Sequence, residues 1–68
     1  MKIFSERLRE LRIENKLSMK ALAKQIGASD VAINNWENQI NEPKISYLYK
    51  LAKIFNVSSD YLIGLEND

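Results

Sequence analysis

The fold is decided by one stretch of the chain, Gly27-Ala28-Ser29-Asp30-Val31-Ala32-Ile33-Asn34-Asn35-Trp36-Glu37-Asn38. Ser29 is a suitable N-cap, because a serine hydroxyl can accept from the free backbone N–H groups of a first helical turn. The sequence therefore predicts a short helix that begins near Asp30. Ile33 and Trp36 are three residues apart and give this helix one apolar side, so that its polar side chains need not be buried.

A second helix precedes this stretch and is joined to it by a tight turn. Ser18 can cap a helix from Met19 to Ile26, and Gly27 suits the left-handed residue that ends it. Only residues 27–29 then separate the two helices, which is the spacing of a helix-turn-helix.

Three further helices are predicted outside this pair. Ser5 is expected to cap a first helix over about 5–15, whose apolar side holds Phe4, Leu8 and Leu11. Pro43 marks a loop after the third helix. A fourth helix is expected over about 45–55, and a last one, capped by Ser58, over 59–63. In the fourth helix, Ile45, Leu48, Leu51, Ala52 and Phe55 are predicted to point inward, and Tyr47, Lys50 and Lys53 to point outward.

The length of 68 residues predicts a single domain. The five predicted helices make it all-α, a compact bundle over 1–64 with a polar tail at 65–68. The chain contains no Cys and no His, so disulfides, thiolate or imidazole metal sites and histidine-dependent catalysis are excluded. We therefore expect no enzyme activity, cofactor, metal or small-molecule ligand. No apolar run approaches the roughly 18 residues of a membrane span, which predicts a cytoplasmic protein.

The net charge of +1 is too small to indicate a nucleic-acid partner by itself. Its distribution is uneven, since residues 1–29 carry a charge of +4 and residues 30–68 a charge of −3.

The spacing of several motifs resembles the Cro/phage-repressor family of helix-turn-helix proteins, which is XRE-type and lambda-repressor-like. The residues that carry the resemblance lie between about Phe4 and Gly64 and are Leu17-Ser18, Ala21-Leu22-Ala23, Ile26-Gly27, Ser29, Ile33, Trp36-Glu37-Asn38, Pro43, Leu51-Ala52 and Val57-Ser58. The resemblance implies a five-helix bundle whose third helix lies in the DNA major groove while the second crosses the backbone. The chain departs from the family pattern at Met19 and Asp30, where a glutamine is usual.

If the third helix enters the groove, Asp30, Val31 and Asn35 are expected to face the base edges. Asn35 can bind adenine through two hydrogen bonds, Val31 can pack on a thymine methyl group, and Asp30 can accept from a cytosine amino group. An alternative for Asp30 is that a carboxylate simply favours the start of a helix.

Phosphate contacts are expected from a second set of residues around the third helix. By the resemblance or by charge, these are Met19, Lys20, Ser29, Asn34, Asn38, Gln39 and Lys44, with Met19 able to donate only its backbone N–H. For the lysines, plain solubility is the alternative.

Two further predictions concern packing. The resemblance implies an ion pair between Arg12 and Glu37 that joins the first helix to the end of the third; the alternative is two unrelated surface charges. Tyr61, Leu62 and Ile63 are candidates for a dimer interface, with core packing as the alternative for Leu62.

These features predict a sequence-specific regulator of transcription, a repressor that binds a two-fold double-stranded DNA operator as a homodimer. The alternative is a protein-interaction module, an adaptor or antitoxin component, because Glu42, Met19 and the acidic C-terminal half disfavour DNA binding. Salt dependence distinguishes the two, since phosphate contacts make affinity fall as salt rises.

Overall fold

The computed structural model describes residues 1–67, and these form five α-helices. They are α1 (Lys2–Glu14), α2 (Met19–Ile26), α3 (Asp30–Glu37), α4 (Ile45–Phe55) and α5 (Ser59–Leu62). The predicted all-α bundle of five short helices is therefore confirmed, and α2 packs most extensively on α3. Within residues 1–67, no helix is both long and apolar enough to cross a membrane.

A small core at the centre of the bundle holds the helices together. Trp36 is only 5% exposed and lies in this core, as its spacing from Ile33 predicts. The other buried apolar residues come from all five helices and are Phe4, Leu8, Leu22, Ala23, Ile26, Ile33, Leu51 and Leu62.

Serine side chains cap the N-terminal ends of three helices, as predicted. The hydroxyl of Ser18 accepts from the Ala21 N–H at 3.0 Å, and the hydroxyl of Ser29 accepts from the Ala32 N–H at 3.1 Å. Ser58 caps α5 in the same way. Each cap binds one backbone N–H group that has no partner inside its helix.

The predicted start of α1 was wrong. The helix begins at Lys2, so Ser5 lies inside it rather than at its cap, and only 3% of Ser5 is exposed. Phe4 packs in the core one residue earlier, so that the chain must already be helical there. The buried Ser5 hydroxyl is consequently free to bond to another helix.

All five helices are followed by a residue with left-handed backbone angles. These residues are Lys16, Gly27, Gln39, Asn56 and Gly64, with φ between 54° and 88°. In every case the next N–H group donates to the carbonyl oxygen five residues earlier, for example Ile40 to Asn35 at 2.9 Å. Such closures satisfy carbonyl groups that the helix leaves unpaired. Gly27 is a predicted helix end, and Asn56 and Gly64 are also of residue types that adopt left-handed angles readily, whereas Lys16 and Gln39 are neither glycine nor asparagine.

The orientation predicted for α4 was wrong at two positions, Ile45 and Tyr47, whereas Lys50 is exposed as predicted. Ile45 is 83% exposed rather than buried. Tyr47 is half-buried, with its ring centroid 5.4 Å from that of Trp36 and its hydroxyl 3.4 Å from the Gly27 carbonyl oxygen. Lys50 donates to the Ile26 carbonyl oxygen at 3.3 Å. Tyr47 and Lys50 therefore fix the end of α2 and the turn that leads to α3.

The predicted polar tail folds back on α5 over the residues that the structure describes. The N–H groups of Leu65 and Glu66 both donate to the Asp60 carbonyl oxygen, and the Glu66 carboxylate accepts from the Ser58 hydroxyl at 2.8 Å. Arg7 donates to the carbonyl oxygens of Tyr61 and Glu66. Asp68, the last residue of the predicted tail, lies outside the described residues.

Candidate nucleic-acid interface

The outer face of α3 presents small polar and apolar side chains on a firmly packed helix. Ile33 and Trp36 bury the opposite face, so the helix cannot roll without losing core contacts. Val31 is 64% exposed, Asp30 is exposed, and Asn35 is half-buried. The three residues predicted to read bases are therefore all on accessible parts of α3.

A shallow groove separates the starts of α2 and α3. It is lined by Met19, Lys20, Asp30, Val31 and Asn34. Two of the predicted base-reading residues thus share one groove with three of the predicted phosphate-contacting residues. Lys20 brings a positive charge to this groove and Asp30 a negative charge, while Met19 and Val31 make its walls partly apolar.

Three side chains on this face already make hydrogen bonds within the protein. The Asp30 carboxylate accepts from the Val31 N–H at 2.9 Å, which is the helix-start role considered as its alternative. The Asn38 amide nitrogen donates to Asn34, reaching its backbone oxygen at 2.8 Å and its side-chain oxygen at 3.0 Å. The Asn34 amide nitrogen makes no hydrogen bond within residues 1–67.

Asn35 differs from its neighbours. Within residues 1–67 its side-chain amide makes no hydrogen bond to protein, although its backbone oxygen accepts from Ile40. An amide presents one donor and one acceptor side by side, which is the arrangement needed for two bonds to one base.

Other predicted phosphate-contacting residues lie at the edges of this face. Ser29 uses its hydroxyl to cap α3, Gln39 occupies the left-handed position after α3, and Lys44 is the N-cap residue of α4. Gln39 and Lys44 are both exposed. The structure therefore leaves their side chains free to extend toward a partner.

Arg12 and Glu37 form an ion pair between α1 and α3. Nε of Arg12 lies 2.6 Å from Oε2 of Glu37, and Nη2 lies 3.0 Å from Oε1. The Glu37 side chain is fully buried and that of Arg12 is 13% exposed. Hydrogen bonding to Glu37 and the charge of its carboxylate raise the pKa of Arg12 above its ordinary value, against a smaller opposing effect of burial.

Sequence reasoning missed several residues that hold α3 and its turn in place. Arg9 also binds Glu37, with Nε 3.3 Å from Oε1. Ser5 donates its hydroxyl to the Trp36 carbonyl oxygen. The spacing of Ser5, Arg9 and Arg12, which puts them on one side of a helix, was a usable signal. By contrast, nothing in the sequence distinguishes Tyr47 and Lys50 from ordinary surface residues.

The predicted dimer candidates have different positions. Leu62 is fully buried in the core, which is the alternative stated for this residue and removes it from the dimer candidates. Tyr61 is half-buried, and the Arg7 guanidinium lies 4.2 Å from the centre of its ring. Ile63 is half-buried and lines a groove between α4 and α5, together with Ile45 and Tyr49.

This architecture matches a known family. The sequence profile described as Helix-turn-helix matches residues 8–62, which include α2, α3 and the turn between them. The chain belongs to the XRE-type helix-turn-helix family. The resemblance that the motif spacing indicates is thereby confirmed.

Members of this family with similar sequences include two curated proteins. The uncharacterized HTH-type transcriptional regulator YobD of Bacillus subtilis is 36% identical over 97% of this chain and 59% of its own length. Repressor protein C2 of Salmonella phage P22 is 39% identical over 90% of this chain and 28% of its own length. The chain therefore spans about three fifths of one relative and less than a third of the other.

A solved structure from the same family shares the fold. The crystal structure of the P22 c2 repressor protein in complex with a synthetic operator superimposes with a TM-score of 0.85. The match has 39% identity and covers 91% of this chain and 94% of that chain.

Proposed function

We propose that this helix-turn-helix domain binds double-stranded DNA sequence-specifically and acts as a repressor of transcription. The observation that carries the proposal is the outer face of α3, where Val31 lies in the groove beside the start of α2 and the Asn35 amide makes no hydrogen bond to the described residues. The P22 c2 repressor supports it, because that relative was crystallised with an operator and has the same fold.

In the proposed complex, α3 lies in the major groove and reads bases through three side chains. Asn35 binds adenine through two hydrogen bonds, and Val31 packs on a thymine methyl group. Asp30 keeps its contact with the Val31 N–H through Oδ1, so Oδ2 is the oxygen that accepts from cytosine.

Phosphate contacts surround α3 in this proposal. The N–H groups at the start of α2 and the Asn34 amide nitrogen donate from the groove, while Lys20 and Lys44 add charge. Ser29, Asn38 and Gln39 complete the set from the two ends of α3. These contacts position the domain without reading sequence.

A second copy of the chain is proposed to dock on the groove between α4 and α5, so that a dimer binds a two-fold operator. Ile45 is 83% exposed, Tyr49 is 62% exposed, and both line this groove with Ile63. The bundle measures 27 × 23 × 21 Å, and two recognition helices must lie about 34 Å apart. An interface distant from α3 is needed for that spacing, and α3 packs chiefly on α1 and α2.

Selection of bound sequences from a random duplex pool tests the DNA proposal. We expect a two-fold consensus, and an affinity whose logarithm falls linearly with the logarithm of salt concentration. Absence of duplex binding at low salt would refute the proposal and favour the protein-interaction module.

The dimer is tested by Tyr49→Asp, with Ile13→Asp as a matched control, since Ile13 is an exposed apolar residue on α1. Sedimentation with two-fold and half-site duplexes should show that only Tyr49→Asp abolishes the two-copy complex. Equal assembly by both variants would place the interface elsewhere.

A further inference from the structure

Polar side chains along one side of α1 meet the last turn of α3. Ser5, Arg9 and Arg12 stand at spacings of four and three residues, and therefore lie along one side of α1. Arg9 and Arg12 bind the Glu37 carboxylate, and Ser5 binds the backbone one residue earlier, at Trp36. The end of α3 is thus attached to α1 at two consecutive residues, once through a side chain and once through the main chain.

The contact of Ser5 with Trp36 is buried. Ser5 is 3% exposed, and its Oγ lies 2.5 Å from the Trp36 carbonyl oxygen. A hydroxyl carries one proton, and the other nearby acceptor, the Met1 carbonyl oxygen, is farther away at 3.1 Å. The proton is therefore directed to Trp36.

The acceptor in this contact is one of the carbonyl groups that a helix leaves unpaired at its end. The N–H of Gln39 lies 3.5 Å from the same oxygen, at the outer limit of a hydrogen bond. Ser5 is consequently the nearer donor. The hydroxyl adds a bond from a different helix to the end of α3, beside the local bond from the Ile40 N–H to the Asn35 carbonyl oxygen at 2.9 Å.

We propose that Ser5 is a positioning residue for α3, whose hydroxyl fixes the rotation and the axial position of that helix against α1. The Glu37 carboxylate is held by long arginine side chains that can follow a moving helix. The Ser5 hydroxyl is attached directly to Cβ and cannot follow such a movement. Because Asn35 is next to Trp36, a shift of the Trp36 carbonyl group moves the residue proposed to read adenine. The consequence for DNA rests on the proposed function, whereas the attachment of α3 does not.

Ser5→Ala removes the hydroxyl and is the direct test, with two control variants. Ser46→Ala makes the same change at an exposed position on α4. Phe55→Leu weakens core packing by a partly buried side chain at the end of α4, and so lowers global stability at a position outside α1 and α3. All variants are compared at a temperature where each is almost fully folded.

The first measurement is native-state hydrogen exchange without DNA. Ser5→Ala should speed exchange of the Gln39 and Ile40 amides by about fivefold relative to the Val57 amide, which closes α4. Phe55→Leu should not speed exchange of the Gln39 and Ile40 amides relative to the Val57 amide. An equal increase in the exchange rates of all measured amides in Ser5→Ala would overturn the proposal.

The second measurement is base discrimination on the selected duplex. Ser5→Ala should reduce by about fivefold the preference for the base pair that Asn35 contacts, while Phe55→Leu leaves that preference unchanged. Unchanged discrimination would show that the hydroxyl does not place Asn35. If the unaltered chain binds no duplex, the proposed function fails, and the exchange result still decides the role of Ser5.

Should Ser5→Ala fail to fold, Ser5→Cys provides a second variant. A thiol keeps a polar atom on the same carbon, although sulfur is larger than oxygen, and it is only a weak donor. Faster exchange confined to the Gln39 and Ile40 amides would support the proposal, and an equal increase in the exchange rates of all amides would overturn it.

Discussion

The Arg12 guanidinium on α1 binds the Glu37 carboxylate on α3 through two hydrogen bonds, from Nε and Nη2. Its Nη1 also donates to the Leu17 carbonyl oxygen at 2.9 Å. One guanidinium therefore connects α1, α3 and the segment that leads into α2. The raised pKa of Arg12 means that its stabilising effect is complete below the ordinary pKa of an arginine and is lost only above the still higher folded-state pKa. Titration of this arginine introduces no pH dependence near neutrality.

Glu37→Gln should lower the free energy of unfolding by about 3–5 kcal/mol, because it leaves Arg12 without its anionic partner in a largely buried site. Chemical denaturation monitored by Trp36 fluorescence measures this change. Glu10→Gln is the matched control, since Glu10 is exposed on α1. If Glu37→Gln lowers the free energy of unfolding no more than the control does, the ion pair does not contribute to stability.

Asn35→Ala should cost about 1–3 kcal/mol of binding free energy on the selected duplex and relax the preference at one base pair. The reason is that the unbonded amide of Asn35 is the side chain best placed for two bonds to adenine. Competition binding against duplexes altered at each position measures the effect. Asn67→Ala makes the same change in the tail and should bind normally; a uniform loss over all sequences would instead assign Asn35 to the backbone.

Lys44→Gln should reduce the salt slope of DNA binding by about one unit and weaken binding equally for all sequences. Lys44 is exposed next to the end of the loop that follows α3, where only a phosphate contact is proposed. Fluorescence anisotropy at several salt concentrations gives the slope. Lys2→Gln, on α1, should leave it unchanged, and an equal effect of both substitutions would indicate a general charge effect.

Gln39→Gly should raise the free energy of unfolding by about 0.5–1 kcal/mol. Gln39 has a φ of 62°, which disfavours a residue with a Cβ by roughly 1–2 kcal/mol, and the greater freedom of unfolded glycine offsets part of the gain. Thermal unfolding measures the shift. Lys16→Gly, with a φ of 57°, should stabilise similarly. If both lower stability, the left-handed angles carry no strain.

Gly27→Ala should act in the opposite direction and lower the free energy of unfolding by roughly 1–2 kcal/mol. A Cβ added here would meet nothing nearer than Lys50 Nζ at 4.0 Å, so the cost comes from the backbone angle of 72° alone. Thermal unfolding again measures it, and Ala28→Gly serves as the reference for a change in the same turn. An unchanged stability would mean that the turn relaxes to another conformation.

Much of the fold could be predicted because local chemistry marks the helix boundaries. Ser18, Ser29 and Ser58 each precede an apolar pattern, and a capping hydroxyl has few other uses in that position. The same reasoning failed at Ser5, where Phe4 belongs to the apolar side of α1 and shows that the helix has already begun.

The candidate site was less predictable, because its geometry depends on contacts between helices. The bond from the Val31 N–H to Asp30 and the contact of Asn38 with Asn34 join residues that are close in sequence, so local geometry is enough to predict them. That Tyr47 and Lys50 would hold the end of α2 depends on the packing angle of α4, which no residue pattern encodes. Gln39 takes a left-handed angle without the usual residue type, since the bonds that close α3 compensate.

The left-handed closures also determine where the chain can change length. Between α1 and α2, α2 and α3, and α4 and α5, each connection is only three or four residues long and is tied by a bond to the preceding helix. An inserted residue there would break that bond and misdirect the next helix. The segment from Asn41 to Lys44 has no such tie among the described residues, so insertions should be accommodated there. Evolution could therefore lengthen this one exposed connection while the helix pair itself stays fixed in register.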